Sequence, residues 1–576
     1  MPRMIDQFMW SYQESFRITL QFRANRVLKR LGARHEVKVL LVGALRPGRQ
    51  NHNAVCVEPE KGEWPVELFH DLLQKIEAEC SAHHLNDIIY GDAPSMRDKP
   101  ENMRRDATRL AVAALLAPYD TAQYVVSFCG IARPIDDYYV VPVIQVPGDL
   151  FRKFVPLRPR PTITPYEWQG PRSLIHATMR ALLDEAEKEL ERPDPGRFMT
   201  DLASDGSEIV LAAARNFVHS PGLAIDRRYL PSALFDWCNS ISTQMYEGAQ
   251  GRGQILLANP KNPAIEFLAI FKHPVPLNDP RWSRKALQFS SPEACLVGDT
   301  TAIHGIGRLR EIFDPESEEV FAIRFLDRFH WELACGERVL MRSHYGAPLL
   351  PQEQIEQSEF TTTFHRLFPT GDATLAWALF QAGITADHGN MLVFTEDAAL
   401  EAERLSREGT TIEPVTLTPT LYQQFSRIDG TVLVDPKGVC HAVGVILDGA
   451  ASTYCVRSRG SRYNSAVRYV RAGRKRFAIV VSDDQTVDVL PEIRPLMSRS
   501  EIEHQIETLE SATTDNYRAA QRWLDDHRFY LDKAQCERIR VALQRIDEIA
   551  LDMGEIRFVL SEFTPDPDMD ESYLLP

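Results

Sequence analysis

Asp429-Gly430-Thr431-Val432-Leu433-Val434 and Gly460-Ser461-Arg462-Tyr463-Asn464-Ser465-Ala466 are the two stretches on which the reading of this sequence turns. The first sets an acidic residue and a glycine between a helix-like segment ending at Arg427 and the β-branched strand Val432–Val434. An Asp-Gly pair entering a strand forms a tight turn, and a carboxylate at that point is also placed to bind a metal ion and activate a hydroxyl. The motif alone leaves both readings open.

The second stretch lies in a segment without acidic residues. From Gly449 through Ser482 there is no Asp or Glu, while Arg457, Arg459, Arg462, Arg468, Arg471, Arg474, Lys475 and Arg476 are all present. In a chain of 65 basic and 80 acidic residues, such a cluster points to an anion. Glycine and serine ahead of helical periodicity suit a phosphate held by backbone N–H groups at a helix N-terminus. A solvated basic helix face and an RNA-contacting patch are the other readings. The strand Phe477–Val481 then ends at Ser482-Asp483-Asp484, offering a hydroxyl and carboxylates at a strand's C-terminal end, where ligands of α/β folds gather.

Working outward, the region repeats. Gly253-Gln-Ile-Leu-Leu-Ala258 and Gln288-Phe289-Ser290 recur as Gly389-Asn-Met-Leu-Val-Phe394 and Gln424-Phe425-Ser426, at a constant offset of 136 residues. One residue of slippage later, His304-Gly-Ile-Gly307 faces His441-Ala-Val-Gly444. Two strand-bearing anchors at one spacing favour a duplicated unit. In the first copy Glu293-Ala294 stands where the second has Asp-Gly, and no Gly-Ser-Arg counterpart precedes Trp331. That copy reads as a sensor or dimer-completing unit.

A Gly-led strand, Asp-Gly-small, Gly-Ser-Arg and strand-Ser-acidic, in that order, resemble the catalytic domain of diadenylate cyclases of the DisA type. That family carries Asp-Gly-Ala and Gly-Thr-Arg-His-Arg. The resemblance implies ATP as substrate, a divalent metal (manganese or magnesium), cyclic di-AMP as product, and a homodimer or larger assembly in which two catalytic domains meet face to face. It implies metal binding and 3′-hydroxyl activation at Asp429 and nucleotide contact from Gly430 and Thr431. It further implies triphosphate contact from Gly460, Ser461, Arg462, Tyr463 and Asn464, with Ser482 lining the pocket. The family's His-Arg is Tyr463-Asn464 here, and its alanine is Thr431. Losing a charged hydrogen bond to phosphate costs about 1.5–3 kcal/mol, which other local arginines can offset. A nucleotide-sensing protein of the same fold without turnover is the alternative.

The totals agree with a folded multi-domain protein. Of 576 residues, 44% are apolar and 25% charged, which excludes a disordered or membrane-embedded chain. No stretch approaches the ~20 apolar residues of a membrane helix. No secretory signal opens the sequence, so the cytoplasm is the expected location. The nine cysteines show no metal-ligand spacing, and the formal charge of −15 disfavours a nucleic-acid-coating protein.

The expected fold class is therefore α/β and multi-domain. An N-terminal α/β domain spans 1–165 and a degenerate copy spans 200–350. A nucleotide-binding catalytic domain with a central mixed twisted sheet flanked by helices spans 370–495, and a helical region with an acidic tail spans 497–576. Residues 155–165 read as a proline-rich linker, 497–576 as a helical hairpin, and 564–571 as an unstructured tail. The amphipathic helix between residues 5 and 31 suits core packing or a membrane surface. Gly248-Ala-Gln-Gly251-Arg-Gly253 reads as a loop before a strand, and His83-His84 as surface residues of a helix.

Overall fold

The computed structural model describes residues 7–575 except 34, 61–62, 161–169, 198–205, 227–232, 246–251, 292, 352–354, 387, 451–454, 456–459, 474, 483–486, 495, 514–516, 549–561 and 567–568. It divides into two compact units that meet in sequence near residue 351. Among the described residues no helix is long and apolar enough to cross a membrane.

The N-terminal unit begins with a five-stranded antiparallel sheet, β1 (Lys38–Leu45), β2 (Val55–Glu58), β3 (Val125–Cys129), β4 (Arg133–Ile135) and β5 (Tyr138–Pro147). The strand order is β2-β1-β5-β3, with β4 on β5. The run Val-Leu-Leu-Val in β1 is apolar on both faces because both faces are covered. Val39 and Leu41 join the core that includes helices Gln13–Arg30 and Leu174–Leu190. Leu40 and Val42 join the core under helices Leu72–Ala82 and Ala93–Gln123. His83, expected on a helix surface, is instead buried at a helix end, its Nε2 3.1 Å from Asp106.

Eight further strands complete this unit: β6 (Gly253–Leu257), β7 (Ile265–Pro276), β8 (Cys295–Gly298), β9 (Ala302–Leu309), β10 (Phe321–Asp327), β11 (His330–Cys335), β12 (Arg338–His344) and β13 (Ala347–Leu349). They form one sheet in the order β13-β12-β11-β10-β6-β8-β9-β7. An apolar core is shared between residues 1–165 and 200–350, running from Phe16 and Leu28 through Leu182 to Phe235, Ile255 and Trp331. Of the expected linker, residues 161–165 lie outside the described residues, and residues 155–160 are docked. Leu157 is buried and donates to the Arg172 carbonyl, and the Arg158 N–H donates to Glu318, which also binds Arg338 at 2.6 Å. An extended proline-rich segment has no internal hydrogen bonds, and the buried Glu318 supplies partners from outside.

The C-terminal unit holds a six-stranded sheet, β14 (Asn390–Thr395), β15 (Thr410–Thr416), β16 (Thr431–Val434), β17 (Val439–Val445), β18 (Arg476–Val481) and β19 (Val487–Leu490). Its order is β15-β17-β16-β14-β18-β19, with β14 and β16 parallel and every other pair antiparallel. One face packs Leu392, Phe394, Val432 and Phe477 against helices Gln357–Leu367, Ala373–Ile384 and Pro419–Phe425. The other packs Met391, Val393, Leu433 and Val480 against helices Ala398–Arg404 and Ser461–Arg471. This is the expected mixed sheet flanked by helices. The path β11-β10-β6-β8-β9-β7 in the N-terminal unit has the same strand order and directions, again with one parallel pair, β6 and β8.

Beyond the sheet lie three helices, Arg499–Ser511, Tyr517–Asp526 and Lys533–Asp547, where a hairpin of two was expected. They share a core that includes Ile502, Ile506, Leu524, Ile539 and Leu543. The acidic tail is not wholly without structure. Its end pairs as β21 (Leu574–Leu575) with β20 (Met497–Ser498), Glu571 pairs with Arg499, and Tyr573 lies under the Arg366 guanidinium. Two leucines and a tyrosine after the acidic stretch provide the apolar anchor that composition averaged away.

Candidate functional site

The strand directions bring the motifs together. Because β14 and β16 are parallel, the residues preceding them, His388-Gly389 and Asp429-Gly430, lie at one end of the sheet. The antiparallel neighbours end there: Val481 of β18 is opposite Asn390, and Val445 of β17 is opposite Thr431. Ser482 therefore follows β18 at the same end as Asp429.

Gly430 and Gly444 permit this arrangement. Gly430 has φ +116°, and a Cβ on it would stand 2.5 Å from the Gly444 carbonyl carbon. Gly444, at φ +65°, would drive a Cβ to 2.7 Å from Ile428 Cγ2. The two backbones touch where the Asp-Gly turn enters the sheet, so neither position admits a side chain without displacement.

Asp429 projects outward, with 89% of its side chain exposed, and its Oδ1 accepts a hydrogen bond from Arg462 Nη2 at 2.9 Å. Two residues 33 apart in sequence thus form one charged pair. Arg462 belongs to the first turn of helix Ser461–Arg471, whose N-cap is the exposed Gly460. Glycine brings no side chain to cap the first-turn N–H groups, and nothing lies within 4 Å of where its Cβ would be. Tyr463 and Asn464 are half-buried, and Asn464 Nδ2 donates to the Gly460 carbonyl at 3.3 Å. Thr431 lies deeper. It is fully buried, and its Oγ1 has no hydrogen-bond partner among the described residues. Its hydroxyl is sealed in the core, whereas the Asp429 side chain at the same turn is exposed.

The basic stretch is not without counter-charge, contrary to the sequence reading. Arg462 pairs with Asp429, Lys475 with Glu396 at 2.7 Å, and Arg476 with Glu401 at 3.2 Å. Arg468 donates to the Asn464 carbonyl and approaches Ser465 Oγ. Arg457, Arg459, Arg474, Asp483 and Asp484 lie outside the described residues.

Sequence reasoning missed the network that holds this helix. Arg404 chelates Glu401 and also binds Asp448 after β17. Tyr469 donates to Glu401 at 2.8 Å, and Arg476 stacks on the Tyr469 ring at 3.9 Å. The bond from Arg404, aided by Tyr469 and Arg476, holds the Glu401 carboxyl below its usual range against the opposing effect of burial. Burial pushes the Tyr469 phenol up. The only local signal was the Glu401–Arg404 pair at i,i+3.

A divalent ion fits this donor set only as one that arrives with a ligand. Among the described residues no group of three His, Cys, Asp or Glu side chains converges. One exposed carboxylate beside a guanidinium and a helix begun by glycine suits an ion carried on a polyphosphate, as magnesium is bound in phosphoryl-transfer sites.

A mixed sheet bearing an acidic turn opposite a glycine-initiated basic helix defines a nucleotide-binding domain, and comparison with known proteins agrees. Residues 381–491 match the family model described as "DisA bacterial checkpoint controller nucleotide-binding". Residues 9–218 match "Probable sensor domain DACNG", and residues 232–337 match "Probable sensor domain DACNH". The chain thus carries a DisA-type nucleotide-binding domain behind two sensor domains. Among solved structures it is similar to DacA from Staphylococcus aureus, crystallised as a double mutant with two introduced cysteines. That match has 15% identity over 23% of this chain and 81% of that one, with a TM-score of 0.17. No curated protein matches the sequence.

Proposed function

We propose that the protein is a diadenylate cyclase that joins two ATP molecules into cyclic di-AMP and releases two pyrophosphates, under the control of its N-terminal sensor domains. The carrying observation is the Asp429–Arg462 pair, which unites the two motifs through which the family handles metal and phosphate. Arg462 and the first-turn N–H groups of residues 460–464 bind and orient the triphosphate, and Asp429 holds a divalent cation that neutralises phosphate charge when bound. The Gly430–Gly444 contact keeps the Asp-Gly turn low, so that a ligand can lie over its backbone. With two domains face to face, each 3′-hydroxyl oxygen bonds to the α-phosphorus of the other ATP. The bond from that phosphorus to the β-bridging oxygen breaks, pyrophosphate leaves, and the hydroxyl proton passes toward Asp429 and solvent. Holding two bound nucleotides in this geometry supplies much of the acceleration.

Residues 200–350 are, on this reading, a degenerate copy of the same domain. The shared six-strand path supports this, as do Ser290 and Ser426, which each lie against the start of the matching strand: Ser290 accepts from the Gln254 N–H, and Ser426 lies 3.0 Å from His388 Nε2. A second functional reading, a nucleotide sensor without turnover, is favoured by Tyr463-Asn464, because Asn464 turns its amide back onto Gly460 where the family carries a cation. Mass spectrometry of products after incubation with ATP and manganese or magnesium, beside Asp429→Asn, separates the two. Cyclic di-AMP from the wild type alone supports the cyclase; bound ATP without product supports the sensor.

A further inference from the structure

At the edge of the eight-stranded sheet, β7 leaves its ladder. Ile270 pairs with Gly305 and Val275 with Ile303, so residues 271–274 oppose a single residue of β9 and bulge outward. Ile270 at this tip is 73% exposed. Helix Pro280–Ala286 and the 3-10 turn Leu287–Phe289 lie alongside. Their outer face carries Arg281, Trp282, Lys285 and Phe289, with Trp282 57% and Phe289 56% exposed. The two elements form one surface, because the Phe271 and Phe289 rings lie 6.3 Å apart. Lys285 Nζ sits 4.9 Å above the Trp282 ring.

The charge of this surface is opposite to that of the chain. Lys272, Arg281 and Lys285 are exposed, and between residues 265 and 291 the acidic side chains are Glu266, which binds Arg308 at 2.8 Å, and Asp279, which caps the Trp282 N–H. A protein of formal charge −15 thus presents cations interleaved with three exposed large apolar side chains on a protruding edge.

We propose that this surface docks on an anionic lipid bilayer. Ile270, Trp282 and Phe289 would enter the headgroup boundary, and Lys272, Arg281 and Lys285 would meet the phosphates. Tryptophan and flanking cations are the residue types that favour this boundary. Strand addition by a protein partner is disfavoured, because the bulge and Pro274 interrupt the row of backbone groups that a new strand needs. The proposal is independent of the nucleotide site.

The test is cosedimentation of the full chain with vesicles of phosphatidylcholine and phosphatidylglycerol in equal parts, beside phosphatidylcholine alone. The wild type binds the anionic vesicles and not the neutral ones, and binding falls as salt rises. Each neutralised cation weakens binding about five-fold, so Lys272→Gln/Arg281→Gln/Lys285→Gln together lose roughly a hundredfold. Ile270→Ser/Trp282→Ala also loses binding, with an unchanged circular dichroism spectrum because both side chains are exposed. Failure of the wild type to bind anionic vesicles overturns the proposal, as does unchanged binding by both variants. Self-association of a wild type that ignores vesicles, lost in the variants, assigns the surface to contacts between copies and also overturns it.

Discussion

Replacing Asp429 by Asn separates two things that the site does with one pair of charges. Asp429 accepts from Arg462 at 2.9 Å, so the guanidinium proposed to bind phosphate is held by the carboxylate proposed to bind metal. Asp429→Asn releases Arg462 and removes a negative charge from beside the triphosphate. The pair is solvent-exposed on the Asp429 side, and such pairs contribute about 0–1 kcal/mol. The repulsion between carboxylate and phosphate adds about 1 kcal/mol at 4 Å in water. Together these, about 1–2 kcal/mol, predict metal-free ATP affinity about 5–25-fold tighter in Asp429→Asn than in the wild type, at ~1.4 kcal/mol per tenfold. With manganese present the order reverses, because the amide is a poor ligand for a hard cation. Isothermal titration calorimetry with ATP in EDTA and then in manganese reads both arms. Metal-free binding that is unchanged or weaker in Asp429→Asn refutes the reasoning, whatever happens to turnover.

Three further outcomes follow from the geometry. Gly430→Ala, with a Cβ 2.5 Å from the Gly444 carbonyl carbon and φ +116°, lowers stability by about 2–4 kcal/mol and abolishes ATP binding, read by thermal melting and calorimetry. Thr431→Val removes a buried hydroxyl that has no partner among the described residues, and raises the free energy of unfolding by about 1–2 kcal/mol while ATP affinity stays unchanged. His176 lies half-buried between Phe128 and Phe151, and burial, with Arg172 nearby, pushes its pKa down to about 4. Its contribution is fully present above the unfolded value of about 6.5 and is lost as pH falls toward 4, where only the unfolded chain takes the proton, to a ceiling of roughly 3 kcal/mol. Denaturation of His176→Gln between pH 7 and 4.5 therefore shows a smaller loss than that of the wild type.

The elements carrying the candidate chemistry were legible because each opens just after a glycine: two are short apolar strands and the third is a basic helix. Gly389 before β14, Gly430 before β16 and Gly460 before helix Ser461–Arg471 mark boundaries that the structure keeps. The counter-charges were not legible, since Glu396 and Glu401 reach Lys475 and Arg476 from 79 and 75 residues away, across a folded layer. Helix Ala93–Gln123 was hidden for another reason. Pro100 and Pro118 lie inside it and read locally as breakers, whereas burial of Ala107, Ala111, Val112 and Leu116 against the sheet carries the helix through.

The two sheets of like topology differ in one connection that bears on the proposed nucleotide site. Between β17 and β18 the chain inserts helix Ser461–Arg471, with Arg462 at its start. Between β9 and β10 it makes only the 3-10 turn Pro315–Ser317, in the acidic run Asp314-Pro-Glu316-Ser-Glu318-Glu319. The strand frame is retained while the local charge of the connection is inverted. That turn offers an anion no counterpart of Arg462 at a helix start among the described residues, and its Glu316 and Glu318 are taken up by Arg158 and Arg338, so the proposed triphosphate site belongs to the C-terminal sheet. On the proposed reading, specificity resides in what crosses from the fourth strand to the fifth in chain order, and the shared strand frame determines where that crossing is presented.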